Sequence, residues 1–424
     1  MMRAHNMTRR ASRLSLAAAL LLGGAACNQV DRLLTVQSPS ILTDDQYFVP
    51  SNAALIAASA QADFECALGG YVVAGGLAAG EFIDGSQTAA RWSYDRRDVL
   101  PVDALYSTTG CVGIGVYTPI STARYTNDET VRRLEGWTDA QVPNRQRLIA
   151  QASAFAGYSL VLLAEGFCTA AVDVGPELTP DQTFDAAIAR FDRAITIATQ
   201  LNDQTLLNLA LVGRARARLG RGNRAGAAED AARVPVGFVF NTSADNNADR
   251  RQNRVFAQNN AGFAVTVAPA YRAMTVQGVA DPRVRVTDGG RNAGDQVNRL
   301  WVQNKYTSLT ASTPVATGIE AQLIVAEVRG GAEGVAILNA LRARAGVALP
   351  ALSAAEAGAF GATLAEERRR ELFLQGNRWF DMRRLSLPQE PAAGTPYSKG
   401  GVYGNQRCWP LPDVERLANP NLGG

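Results

Sequence analysis

The stretch Glu367-Arg368-Arg369-Arg370-Glu371-Leu372-Phe373-Leu374-Gln375-Gly376-Asn377-Arg378-Trp379-Phe380-Asp381-Met382-Arg383-Arg384 interleaves charges with large apolar side chains. Its spacing predicts a helix from Leu364 to Phe380, buried along Leu364, Leu372 and Trp379. Glu367 and Glu371 stand one turn apart and share a helix face. A glycosidase needs its acid and its base or nucleophile on either side of a bond, across a cleft. Two glutamates on one turn, set among arginines, suit an ion-pair network instead. Glu367, Arg368, Glu371, Arg378 and Asp381 are therefore read as structural, since charges near a core are tolerated when paired and hydrogen-bonded.

Working outward, Ile319 to Val328 and Gly334 to Ala345 read as two further helices, and the chain closes on Trp409-Pro410-Leu411-Pro412-Asp413-Val414-Glu415 and Asn419-Pro420-Asn421-Leu422. Residues 236–318 are loop-rich, with Asn-rich text from Asn241 to Asn260 and β-leaning pieces such as Phe263 to Val267. Upstream, Arg145 to Phe167, Thr183 to Thr199, Gln204 to Leu219 and Arg224 to Arg233 read as helices. Phe184, Ala187, Ile188, Phe191, Ala194, Ile195 and Ala198 trace an amphipathic stripe. Gly213, Ala225 and Ala232, with Leu219-Gly220 between the last two helices, fall at tetratricopeptide intervals, where small side chains let paired helices close in. Any Ala-rich helical hairpin gives a similar match. Gln46 to Leu68 reads as another helix and residues 69–110 as Gly-rich loop. The expected fold is mainly α, a tetratricopeptide-like scaffold with loop-rich, weakly β insertions, in two parts, 46–235 and 236–424.

The N-terminus has an arginine-rich start, an uncharged apolar stretch from Leu14 to Ala26, and Gly24-Ala25-Ala26-Cys27. This is the order of an export signal. The last four residues resemble a bacterial lipobox, with Gly24 where Leu is preferred. Residues 1–26 are expected to be a signal peptide, Cys27 a lipid attachment site, and 27–45 a tether. Removing the leader takes four of the 42 basic residues and leaves 38 against 39 acidic ones, a balance with no nucleic-acid signature. It also removes His5, the single histidine. Ser-His-Asp and Cys-His mechanisms and His-dependent zinc sites are thereby excluded. No Gly-rich phosphate loop or EF-hand spacing is present, and no cofactor or metal is expected. Cys66, Cys111, Cys168 and Cys408 remain, an even number suited to disulfides in an exported chain. They allow three connectivities, of which Cys66–Cys111 with Cys168–Cys408 is the expected one.

The C-terminal third resembles the SusD/RagB family of outer-membrane nutrient-binding lipoproteins. The resemblance rests on Glu367-Arg368, Arg370-Glu371-Leu372, Gly376-Asn377-Arg378-Trp379-Phe380-Asp381, the Pro410-Leu411-Pro412 ending and Asn419-Pro420-Asn421-Leu422. Asp281-Pro282-Arg283, Lys305-Tyr306 and the helices around Glu320–Glu327 and Leu338–Arg342 agree with it. Gln375 stands where the family usually has Glu, and Asn377 where it often has His, which puts any family role for those two side chains in doubt.

The resemblance implies an outer-membrane lipoprotein facing the exterior. Such a protein captures an oligosaccharide or a peptide without cleaving it and delivers it to a SusC-type TonB-dependent transporter. It also implies a ligand site among the loops. Asp84, Arg91, Trp92 and Tyr94 lie in one such loop, and Trp301 and Tyr306 in another; Trp137, Trp379 and Trp409 read as core. Two other readings remain, a tetratricopeptide scaffold that binds protein partners and a histidine-free carboxylate hydrolase.

Overall fold

The computed structural model describes residues 43–104, 108, 113–247 and 249–422. Residues 1–49 and 50–424 are separate units. In the first, Asp44–Tyr47 forms one helical turn, started by a capping box between Thr43 and Gln46.

The second unit is mainly α. Helix α1 (Ala53–Ala78) is followed by α2 (Tyr117–Glu135), α3 (Arg145–Gly166), α4 (Pro180–Gln200), α5 (Gln204–Gly220) and α6 (Arg224–Ala232). From α2 to α6 each helix packs on the next, in tetratricopeptide fashion. The loop-rich segment from 233 to 317 is an insertion, because α6 packs directly on α7 (Gly318–Arg329), which in turn packs on α8 (Gly331–Ala343). Two further helices, α9 (Phe360–Glu371) and α10 (Arg378–Arg384), complete the set used below. Helix α3 is long and apolar enough to cross a membrane, but nearly all of it is buried inside the protein, where it forms the centre of the stack.

Small residues set the helix spacing. A Cβ on Gly213 of α5 would fall 2.4 Å from the Phe191 ring of α4 and 2.8 Å from the Tyr158 ring of α3. The register of α6 differs from the repeat reading. Ala225 and Ala232 are exposed, and it is Ala227, Ala228 and Ala231 that are buried.

Two helix boundaries also differ from the sequence reading. Helix α1 starts after a 3₁₀ turn at Pro50–Asn52 and continues past Leu68 through Gly69, Gly70, Gly75 and Gly76. Glycine disfavours helix, yet this half is buried almost throughout, and a Cβ on Gly70 would lie 2.8 Å from the Gly115 carbonyl oxygen. Close packing overrides propensity there. The second difference lies in the stretch that decided the fold, which is two helices rather than one. Leu374 (φ 53°) and Gly376 (φ 87°) take left-handed conformations that end α9 and redirect the chain into α10. The freed backbone finds partners elsewhere. Leu374 N donates to Glu81 Oε1 (3.0 Å), Lys305 Nζ donates to Phe373 O (2.6 Å), and the Tyr306 hydroxyl donates to Leu374 O (3.0 Å).

The β structure is slight. Strand β1 (Phe82–Asp84) pairs antiparallel with β2 (Val265–Val267), and β3 (Val286–Asn292) forms a hairpin with β4 (Arg299–Gln303). Thr266 joins the two pairs. Its Oγ1 donates to Arg299 O (2.8 Å) and accepts from Trp301 N (2.7 Å). Cys168, just past α3, is disulfide-bonded to Cys408, with Cα atoms 5.1 Å apart. Cys66 is buried and disulfide-bonded; Cys111, its expected partner, lies outside the described residues.

Candidate functional site

Strand β1 leaves the core at Asp84 and opens a polar surface. Ser86 donates to Asp84 Oδ1 through its backbone N (2.8 Å) and its hydroxyl (2.7 Å), while Asp84 N donates to Asp95 Oδ2 (2.8 Å). Arg91 Nε lies 3.4 Å from Asp84 Oδ2. The Trp92 indole N–H donates to Ser86 O (3.1 Å), which ties the ring to this turn. Lys399, from a distant segment, then joins the parts. Its Nζ donates to Asp84 Oδ1 (3.1 Å), Ser86 O (2.9 Å) and Asp84 O, and lies 3.2 Å from Asp295 Oδ2. The same ammonium is 5.2 Å from the Trp92 ring centroid, within cation–π range.

Asp295 belongs to the tip of the β3–β4 hairpin. That tip docks on the turn through Asp295 N, which donates to Gly85 O (2.6 Å), while Gly294 N donates to Phe263 O (2.9 Å). A second partly exposed aromatic, Phe263, is thereby brought to this surface, with the Arg291 guanidinium 4.4 Å from its ring centroid. The docked turn and hairpin tip carry two partly exposed aromatic rings, with exposed Gln87, Thr88, Arg291, Gln296 and Val297 beside them in the chain.

The carboxylates of this surface are committed to holding it together. Burial pushes Asp295 up, but hydrogen bonds from Asn298 and Val297, and one from Lys399, outweigh it and hold the group below its usual range. Burial raises Asp95 to about 7, reinforced by the Asp84 charge and opposed by the hydrogen bond from Asp84 N. Asp95 is nearly inaccessible, so its shifted proton does not face solvent. Among the described residues no group of three or more His, Cys, Asp or Glu side chains is placed to hold a metal ion.

The structure therefore brings Asp84, Arg91 and Trp92 together and separates the other expected ligand contacts. Tyr94 is 1% exposed and packs edge-on against Trp409, with ring centroids 5.5 Å apart. Tyr306 is 3% exposed and caps the α9 break. Both are interior residues: Tyr94 lies on the core-facing side of the short helix Trp92–Arg96, and Tyr306 turns inward to Leu374 O. Trp301 sits on β4, in the same β layer as Asp84 but partly buried, with the Arg272 guanidinium 4.7 Å from its ring centroid. Cys27 lies outside the described residues. Sequence reasoning missed Lys399, Asp295, Ser86 and Phe263. One signal was available, since Lys399 is one of only two lysines in an arginine-rich chain.

The charged stretch around α9 forms a buried network. Arg283 donates to Glu367 (2.6 Å), Glu371 (3.0 Å) and Asp281 (2.7 Å). Arg342 meets Glu367 (2.7 Å), and Arg344 grips both Glu371 oxygens (2.6 Å each). Arg368 and Arg384 both hold Asp381 at 2.8 Å. Arg378, expected within this set, stands apart. Among the described residues it makes no ion pair within 4 Å, and its charge acts on Glu81 instead.

Residues 241–416 match the SusD family, and most of the described chain superposes on solved SusD structures. The fold is SusD-like. A SusD superfamily protein from Bacteroides vulgatus ATCC 8482 aligns at TM-score 0.65 and 15% identity, covering 88% of this chain and 98% of its own. A surface glycan-binding protein A from Bacteroides fluxus aligns at TM-score 0.66 and 14% identity, covering 87% and 97%. A SusD-like carbohydrate binding protein from Bacteroides vulgatus ATCC 8482 aligns at TM-score 0.61 and 14% identity, covering 88% and 97%. No curated protein matches the sequence. At these identities the SusD-like chain shares the fold with its neighbours, and its own side chains must carry any statement about ligand.

Proposed function

We propose that this SusD-like chain captures a glycan at the cell surface through the Trp92 face and passes it, uncleaved, to a SusC-type TonB-dependent outer-membrane transporter. The observation that carries the reading is the Trp92 ring, pinned to Ser86 and flanked by Lys399, Arg91 and exposed amides. A pyranose presents an apolar C–H face that docks on such a ring, and its hydroxyls bond the polar groups around it. Relatives of the same fold described as glycan- or carbohydrate-binding support the ligand class. Binding without cleavage fits the commitment of Asp84 and Asp295 to Lys399. In this reading residues 1–26 are an export signal, Cys27 carries the lipid, and the tether to residue 45 holds the protein at the outer membrane.

The test is calorimetric titration of residues 28–424 with panels of oligosaccharides and peptides, with every mixture assayed for cleavage. The expected result is saturable binding of an oligosaccharide, no products, and at least tenfold weaker binding by Trp92→Ala with an unchanged melting temperature. Turnover, or wild-type affinity in Trp92→Ala, overturns the assignment of this face.

A further inference from the structure

The ion-pair network around α9 has an open side, away from the Trp92 turn in sequence and built from other elements. A cleft of about 300 Å³ lies there, bounded by Pro282–Arg283, Lys305, the strand Pro314–Thr317, the start of α7 and the end of α9. This volume is at the lower end for small-molecule sites, roughly room for one sugar ring or two small residues. Its walls mix aliphatic side chains, among them Val239, Ile319 and Leu372, with the cations Arg283, Lys305 and Arg344 and the carboxylate of Glu371.

The cations on this cleft are not equally engaged. Arg283 and Arg344 are tied to Glu371, and Arg283 also to Glu367 and Asp281. The Lys305 ammonium has no carboxylate within 4 Å among the described residues; Nζ donates to Phe373 O and lies 5.8 Å from the Tyr306 ring centroid. An ammonium has three donors, so two remain. A desolvated cation with no counter-ion is costly, and an anion that reaches it recovers that cost. Burial lowers Lys305 to about 8, with the charges of Glu81 and Glu371 opposing the shift. Helix α7 starts at the cleft, with Thr317 and Ile319 in the wall; its first-turn amides Gly318 N and Glu320 N already donate to Phe238 O and Thr317 Oγ1, so the charge facing the cleft comes from the side chains.

We propose that this cleft is a second binding site, one that takes a carboxylate on a small, partly apolar body, with Lys305 as counter-ion and Arg344 at the mouth. It does not depend on the Trp92 face. A uronic acid and the C-terminus of a dipeptide both present this group, and the aliphatic wall receives the body of either.

The experiment titrates residues 28–424 with glucuronate and with Ala-Ala, against glucose and Ala-Ala amide as neutral counterparts, using ligand-observed NMR. Saturable binding of at least one acid is expected, with its neutral counterpart at least tenfold weaker; which acid binds identifies the source of the carboxylate. Lys305→Met and Arg344→Gln should each weaken the acid at least tenfold, and Trp92→Ala should leave it unchanged. Arg344 lies at the exposed edge, so its variant reads the site even if Lys305→Met does not fold. Equal binding of an acid and its neutral counterpart overturns the proposal. So does wild-type affinity in folded Arg344→Gln, or the absence of saturable binding by either acid. Loss of acid binding in Trp92→Ala assigns the carboxylate to the other face and also overturns it.

Discussion

One ammonium, that of Lys399, holds segments more than a hundred residues apart: the Asp84–Ser86 turn and the Asp295 hairpin tip. Removing it leaves two buried carboxylates without their shared counter-ion. Lys399→Met should therefore cost about 3–5 kcal/mol, the usual penalty for breaking one side of a buried pair, read as a lower urea midpoint. Lys399→Arg should recover little, because a planar fork does not fit a cage shaped for a compact charge. This residue also marks the limit of sequence reading at this scale. Asp84, Arg91 and Trp92 are close in the chain, and their grouping was legible. Their partners come from positions 295 and 399, and only the folded chain shows that. Tyr94 misled for a simpler reason: two residues along a short helix from Trp92 is enough to face the core.

Among elements, the long amphipathic stripe of α4 was read correctly because burial and period agree there. The α9–α10 stretch was read as one helix because its apolar spacing stays helical through the break. What ends the helix is a left-handed Leu374, a conformation that no residue type announces, with Gly376 as the only local hint. Gly213 was legible as a small residue at a crossing, though not as the seat of two aromatic rings. Gly213→Ala should force Phe191 and Tyr158 aside at a cost of about 1–3 kcal/mol. Denaturant unfolding should show a lower midpoint with unchanged slope, since the exposed surface on unfolding stays the same.

For the whole molecule, acid groups with opposed shifts set a pH window. Burial raises Glu81 and Asp95 to about 7 each, so their stabilising effect is complete below the unfolded value of about 4 and is lost as pH rises through about 7. Asp281 is pushed up by burial but pulled down further by Arg283 and Arg370, to about 2. Glu356 is held at about 2, chiefly by Arg342. Their contribution is present above about 4 and is lost as pH falls toward 2. The melting temperature should therefore peak near pH 4 and decline on both sides, the alkaline decline being the distinctive one. Glu81→Gln, which retains an acceptor for Leu374 N, should match the wild type at pH 4 and exceed it by about 1–3 kcal/mol at pH 8. An equal deficit at both pH values would assign the alkaline decline to other groups.

The Cys168–Cys408 bond turns 240 residues of sequence separation into a covalent ring that contains α4 to α10 and every loop of the insertion. A protease that nicks any loop inside that ring severs the chain without releasing a fragment. In a medium rich in secreted peptidases, a clipped copy would stay whole and keep its binding faces in place. On a gel it would migrate as one species until reductant is added, and as two thereafter. Its working lifetime would then be set by the bond at its closing point, and the exposed insertion could be cut without ending it.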